Sequence, residues 1–194
     1  MLSDMPIDTM INLLGRNGTD LWRKANGIDT SPVVPYREAK SIGTESTFMA
    51  DSADTVFLKR QLVRMTEQVA FELRDGNKLA GCITVKVRYQ DFHTVTKQHV
   101  IAYTCADHEL QKTVMQLFDD LYDKTRKVRL VGVRLSHLVP GNYQIHLFDD
   151  TAEIINLYQA IDHIKHRYGE ESVVKAAGRQ FFSDKYKVIN RKLR

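Results

Sequence analysis

Apolar residues repeat along this chain at two different spacings, and the switches between them predict an order of elements. Leu58, Leu62, Met65, Val69 and Leu73 recur at helical intervals between the capping run Asp51-Ser52-Ala53-Asp54 and the stop Gly76-Asn77, which predicts one amphipathic helix. Ile83, Val85, Val87 and Tyr89 then alternate with Thr84, Lys86 and Arg88, as in a strand with one buried face and one basic, polar face. Thr94 to Tyr103 supplies its partner strand. Asp107 opens a second helix through Leu110, Val114, Leu117 and Leu121, and Val128 to Leu138 is a last strand with Val131, Val133 and Leu135 on one side. With Ser41 to Phe48 as the opening strand, the order is β-α-β-β-α-β. This is an α+β, ferredoxin-like pattern: a four-stranded antiparallel sheet with two helices on one face. The other face is left to water or to a ligand.

The flanks read differently. Ile7, Met10, Leu13 and Leu14 predict a short helix started by Asp4 and Pro6, which Gly15-Arg16-Asn17-Gly18 should break. A second helix is expected from Thr19 or Asp20, with Leu21, Trp22 and Ala25 on its packing face and Gly27 at its end. Two helices this short bury too little to fold alone, so residues 1–29 read as the end of a larger helical domain. Residues 30–40, with two prolines and no periodicity, read as a linker, 41–139 as the sheet domain and 140–150 as a short separate segment. Residues 151–194 contain one amphipathic helix, marked by Ile154, Leu157, Tyr158, Ile161 and Ile164, and then a basic tail. The pattern leaves open where that tail lies.

Composition narrows the class. The chain has 194 residues, 43% of them hydrophobic, enough for one well-buried core. No apolar run reaches a membrane-spanning length and the start lacks signal-peptide features, so a soluble, cytoplasmic protein without membrane contact is expected. A monomer is expected as well, although the sequence leaves a dimer open. Cys82 and Cys105 stand far apart, outside any CxxC pair, and read as reduced residues in strands. A net charge of +4 points mildly to an acidic partner, nucleic acid being the commonest.

The residues projecting from the open sheet face carry the candidate chemistry. By alternation these are Lys86, Arg88, Arg134 and Ser136, with Lys97 and His99 available from the third strand and backbone amides from Ser41 to Thr44. Each alone is equally a solvated side chain. Together they form a basic surface with small, hydroxylated residues between the charges, which lets a phosphate backbone come close. No aromatic pair alternates there, which argues for duplex over splayed single-stranded bases.

Two stretches resemble a known family. Ala39-Lys40-Ser41-Ile42-Gly43-Thr44-Glu45 and Arg129-Leu130-Val131-Gly132-Val133-Arg134-Leu135-Ser136 are similar to the opening and closing strands of the little-finger domain in Y-family translesion DNA polymerases, in the bacterial DNA polymerase IV branch. The resemblance also covers Met5 to Asp29, within which Gly15 to Asp29 is similar to the end of that family's thumb domain. The resemblance implies a domain that straddles template-primer duplex and holds a distributive, lesion-tolerant polymerase on DNA. It implies contacts from Ser41, Gly43 and Thr44 in the first strand and from Arg129, Arg134 and Ser136 in the last, with Lys86, Arg88 and Lys97 matching by location only. Gly43 departs from the pattern, since many members carry a hydroxyl residue there. The catalytic carboxylates and their magnesium ions belong to a palm domain that would precede Met1, so no cofactor is expected in this chain and the chain alone is not expected to polymerise.

Gln144-Ile145-His146-Leu147-Phe148 resembles the family's clamp-binding peptide, in which Leu147 and Phe148 would enter an apolar pocket while Gln144 satisfies its rim, making a sliding clamp the second expected partner. Ile145 and His146 depart from the commonest spelling, and an ordinary strand extension accounts for the same residues. His163 and His166 are spaced like a metal pair but lack a third ligand in the sequence. Two rival readings remain. One is a non-catalytic adaptor that recruits the clamp with incidental DNA contact; the other is an RNA-binding module, disfavoured by the missing aromatics.

Overall fold

The computed structural model describes residues 2–35, 38–141, 152–178 and 188–193. The chain divides into two compact units, Met1–Glu38 and Ala39–Arg194.

In the first unit a single 3-10 turn, Leu2–Asp4, precedes α1 (Ile7–Leu14) and α2 (Arg16–Ala25). Pro6 is the N-cap of α1 and no side chain caps it, so Asp4 does not play the expected part. The break between the helices is also shorter than expected. Gly15 alone makes the reversal, with φ +58°, a conformation that costs glycine nothing. Asn17 and Gly18 are already helical. Gly18 lies so close to α1 that a Cβ there would sit 2.1 Å from the Met10 carbonyl oxygen. Close helix approach thus outweighs glycine's poor helix propensity, about 1 kcal/mol. Met10 is buried at this contact, and Trp22 Nε1 donates to the Met5 carbonyl at 2.9 Å.

The second unit runs β1 (Ser41–Ser52), α3 (Thr55–Asp75), β2 (Lys78–Tyr89), β3 (Thr94–Thr104), α4 (Asp107–Leu121), β4 (Val128–Pro140), α5 (Ala152–Tyr168), a 3-10 turn (Ala176–Gly178) and β5 (Val188–Leu193). The α+β pattern read from the sequence is present, with each helix crossover skipping one strand. The four strands lie in the order β3-β2-β4-β1, all antiparallel, and β5 adds a fifth on the outer edge of β1. Asp54 starts α3, accepting from the amides of Val56 at 2.9 Å and Phe57 at 3.1 Å. Gly76 closes the helix and Asn77 turns the chain at φ +48°. Ile83, Val85 and Val87 of β2 stand opposite Leu135, Val133 and Val131 of β4, and this apolar row packs on Leu58, Leu62, Met65, Val69 and Leu73 of α3 and Leu110, Val114 and Phe118 of α4. Cys82 is buried in β2, whereas Cys105 lies one residue past the end of β3.

α5 docks by only part of its apolar stripe. Ile154, Tyr158 and Ile161 are half-buried, Leu157 and Ile164 stay exposed, and Asp162 grips Arg74, in the last turn of α3, through Nε–Oδ2 at 2.6 Å and Nη2–Oδ1 at 2.9 Å. Arg74 Nη1 also donates to Asp107 and to the Cys105 carbonyl at 3.0 Å, with the Tyr158 ring 5.0 Å away. Burial opposes the guanidinium charge, but the Asp162 and Asp107 carboxylates outweigh it and raise its pKa. Farther along, the Lys175 amide donates to Glu67 at 3.0 Å, Lys175 Nζ donates to Gln111 at 3.0 Å, and Gly178 is buried against Val63. The segment from α5 to Gly178 therefore covers the flank of α3 and the start of α4, away from the open sheet face.

Candidate nucleic-acid interface

Directly opposite residues in an antiparallel sheet share a face, so the register defines the open side row by row. Four rows cross the strands in the order β1-β4-β2-β3. They are Ser41-Ser136-Cys82-Val100, Gly43-Arg134-Thr84-Gln98, Glu45-Gly132-Lys86-Thr96 and Thr47-Leu130-Arg88-Thr94. No aromatic residue occurs in them. Short hydroxyl and glycine positions separate three cations and one carboxylate.

Arg134 stands at the centre. It is exposed, and among the described residues no carboxylate lies within ion-pair distance of it. Gly43 beside it clears the approach, because a Cβ there would press within 3.2 Å of the Arg134 Cα and Cβ. One row on, Gly132 leaves a gap in β4 across which Lys86 of β2 reaches Glu45 of β1, Nζ to Oε1 at 2.6 Å. A Cβ on Gly132 would meet the Glu45 Cγ at 2.8 Å. Lys86 is therefore tied to a carboxylate and is not the free cation expected from the sequence. Arg88 Nε donates to Thr94 Oγ1 at 2.9 Å across the β2–β3 pair. Ser41 and Ser136 face each other, both half-buried, at the far end of the face.

Three expected positions fall elsewhere. Lys97 and His99 pair with Val85 and Ile83 and so belong to the helix side, where Lys97 Nζ meets Asp120 of α4 at 2.9 Å. Thr44 pairs with Val133 and is 2% exposed, inside the core. From Gly43 to Phe48, β1 is paired with β5 on one edge, and from Gly43 to Thr47 with β4 on the other, so its amides there belong to the sheet ladder instead of being open to a phosphate. Arg129 sits outside the rows at the β2–β4 irregularity. Its guanidinium lies 4.8 Å from the centre of the Phe92 ring and 3.7 Å from Asp51 Oδ1.

Sequence reasoning missed the group around that bend. Phe92 is exposed with φ +64°, and Arg126 lies 4.0 Å over the Tyr89 ring while pairing with Asp91. Nothing in the local pattern distinguishes these residues from ordinary turn polarity. Gln144, Leu147 and Phe148 lie outside the described residues. His163 is exposed, and His166 Nε2 lies 3.3 Å from Asp75 Oδ1. Among the described residues no three His, Cys, Asp or Glu side chains converge on a metal position, and no helix is long and apolar enough to cross a membrane.

An α+β unit with both crossover helices on one side and a low, cationic sheet face on the other has the architecture of a little-finger domain. The chain belongs to the impB/mucB/samB family, matching its C-terminal domain over residues 39–147. It is 38% identical to a DNA polymerase IV of Streptococcus pneumoniae over 136 residues, 70% of this chain and 38% of that protein. It is 33% identical to a DNA polymerase IV of Dehalococcoides mccartyi over 174 residues, 89% of this chain and 45% of that protein. A crystal structure of DinB from Sulfolobus solfataricus aligns with TM-score 0.46 and 19% identity over 72% of this chain and 40% of that one. The family match and the two DNA polymerase IV relatives bear out the resemblance to the C-terminal region of Y-family polymerases of the DNA polymerase IV type. The chain spans less than half the length of these curated relatives.

Proposed function

We propose that this chain grips the phosphate backbone of template-primer duplex for a translesion DNA polymerase of the DNA polymerase IV type, and that Gln144 to Phe148 tethers it to a sliding clamp. The observation that carries the reading is Arg134, without an ion-pair partner among the described residues, set among Gly43, Thr84, Gln98 and Ser136 in four described rows that hold no aromatic residue. A cation flanked by low residues can reach a phosphate that bulkier neighbours would hold off, and it carries no base preference. The lack of stacking platforms in those rows favours duplex over single strands. Nucleotide transfer belongs to the preceding domains of such an enzyme, and this chain supplies grip.

Arg134→Ala should weaken binding to primer-template duplex equally for all sequences and reduce the slope of log affinity against log salt by about one, read by fluorescence anisotropy. Unchanged affinity and slope would remove the open face as the DNA site. Replacing Leu147 and Phe148 by alanine should abolish clamp binding and leave duplex affinity intact. If duplex affinity fell with it, the adaptor reading would gain.

A further inference from the structure

The hairpin between β2 and β3 carries a side chain that neither the backbone nor the core accounts for. The Tyr89 amide donates to the His93 carbonyl at 2.9 Å, and the Phe92 amide donates to the Tyr89 carbonyl at 3.0 Å. Phe92 takes the left-handed position of this turn, at φ +64°, where glycine or asparagine is at ease and a bulky residue is an outlier. Its neighbours hold it there. Asp91 accepts from the His93 amide at 3.1 Å and pairs with Arg126, while Thr94 Oγ1 donates to the Phe92 carbonyl at 3.3 Å. Burial does not offset the strain, because Phe92 is 64% exposed. The Arg129 guanidinium lies 4.8 Å from the ring centre, and a cation–π contact at an exposed site is weak.

The place of Phe92 in the sheet gives it a use. Thr94, which holds the Phe92 carbonyl, also accepts from Arg88 Nε at 2.9 Å and belongs to the open-face row Thr47-Leu130-Arg88-Thr94. Phe92 thus stands just past the end of that face. Arg129 precedes Leu130 of the same row, and Asp51 meets only one edge of it, Nη1 to Oδ1 at 3.7 Å. Among the described residues its other N–H groups have no acceptor, so they are available to a phosphate. A ring and a guanidinium side by side match the two parts of a nucleotide, a flat base and an anion.

We propose that Phe92, backed by Arg129, is a stacking platform for an unpaired base of a strand that runs on single-stranded past the duplex. This rests on the reading of the open face as the duplex site. The four rows grip paired DNA without stacking, and Phe92 supplies the stack where pairing stops. An exposed aromatic can also anchor a protein partner, but such anchors sit in desolvated apolar patches. The residues fixed around Phe92 are Asp91, His93, Thr94, Arg126 and Arg129.

The test uses the full chain and one duplex, either blunt or with a short 5′ or 3′ single-stranded extension, read by fluorescence anisotropy. The parent should bind an extended form more tightly than the blunt one. Phe92→Gly suits the left-handed backbone, so the unfolding midpoint should hold or rise while that advantage disappears. The loss should be about 5- to 10-fold, the lower end for one base–aromatic stack. Phe92→Trp should keep the advantage, and blunt duplex should bind equally to parent and both variants. A 2-aminopurine base in the extension should be quenched by the parent and stay bright with Phe92→Gly. If glycine loosens the hairpin, Phe92→Asn repeats the measurement. The platform is overturned, with the open face intact, if the parent shows no preference for an extension, if Phe92→Gly keeps that preference, or if it weakens blunt duplex to the same extent. An Arg134→Ala variant that binds blunt duplex like the parent overturns the open-face reading and this inference with it.

Discussion

Replacing Arg74 by methionine removes the group that holds α5 against the helix layer while keeping most of the stem's apolar volume. The guanidinium is 8% exposed, and it serves Asp107 and Asp162, themselves 9% and 16% exposed, as well as the Cys105 carbonyl. Taking away one partner of a buried ionic group leaves uncompensated charge, a loss of about 3–5 kcal/mol. Lys175 Nζ, 4.0 Å from Asp107, offsets part of it and places the expectation near the lower end. For a domain with a urea m-value of about 2 kcal/mol/M, a loss of about 3 kcal/mol lowers the unfolding midpoint by about 1.5 M. Urea titration followed by circular dichroism measures this directly. A loss under about 1 kcal/mol at neutral pH would refute the view that this cluster is buried and cooperative.

Other perturbations probe separate features. Gly132→Ala places a Cβ against the Glu45 Cγ and should break the Lys86–Glu45 pair, costing about 1 kcal/mol by chemical denaturation at low salt and less at high salt. Burial raises the Glu67 carboxyl pKa, against the opposing pull of the Lys175 amide and the Lys165 and Lys175 ammonium groups. Its protonated form therefore favours folding below the ordinary glutamate value, and that contribution fades as pH rises through the raised one. Glu67→Gln should show a flatter stability–pH curve, with its advantage over the parent appearing only above that window. Gly18→Ala cannot fit a Cβ 2.1 Å from the Met10 carbonyl oxygen without parting α1 from α2, so amide exchange in both helices should accelerate.

The parts legible in the sequence were those with strong local contrast. In β2 from Ile83 to Tyr89 and in β4 from Val131 to Leu135 every second residue is a large aliphatic or aromatic, so their faces follow from alternation, and the open positions of Lys86, Arg88, Arg134 and Ser136 with them. β1 reads Ser-Ile-Gly-Thr-Glu-Ser-Thr-Phe, with hydroxyl residues on both sides, and Thr44 and Ser46 are buried despite their chemistry. Only pairing with β4 fixes its parity. β3 is an edge strand exposed along most of its length, so Lys97 and His99 show no local sign of which side they take. The partners Arg74 and Asp162 are 88 positions apart, and β5 is joined to a strand near the other end of the domain. No periodicity carries information over that distance.

The way α5 and the segment after it attach bears on why the open face can remain low and cationic. α5 leaves Leu157 and Ile164 in water, half-buries Ile154 and Ile161, and docks through Asp162, Tyr158 and Lys165, so charge and hydrogen bonds on the α3–α4 flank share in fixing its position. Glu171 is drawn there too, paired with Arg64. Two acidic side chains of the tail are thus held on the helix side, away from Arg134, where a nearby carboxylate would compete with phosphate. On the open side the only described carboxylate in the four rows, Glu45, is already matched by Lys86 through the gap at Gly132. Holding these acids on one side and leaving, among the described residues, an arginine without a carboxylate partner on the other is what the proposed sequence-blind grip on duplex would require. A stable fold alone would be equally served by an Arg134 paired like Lys86.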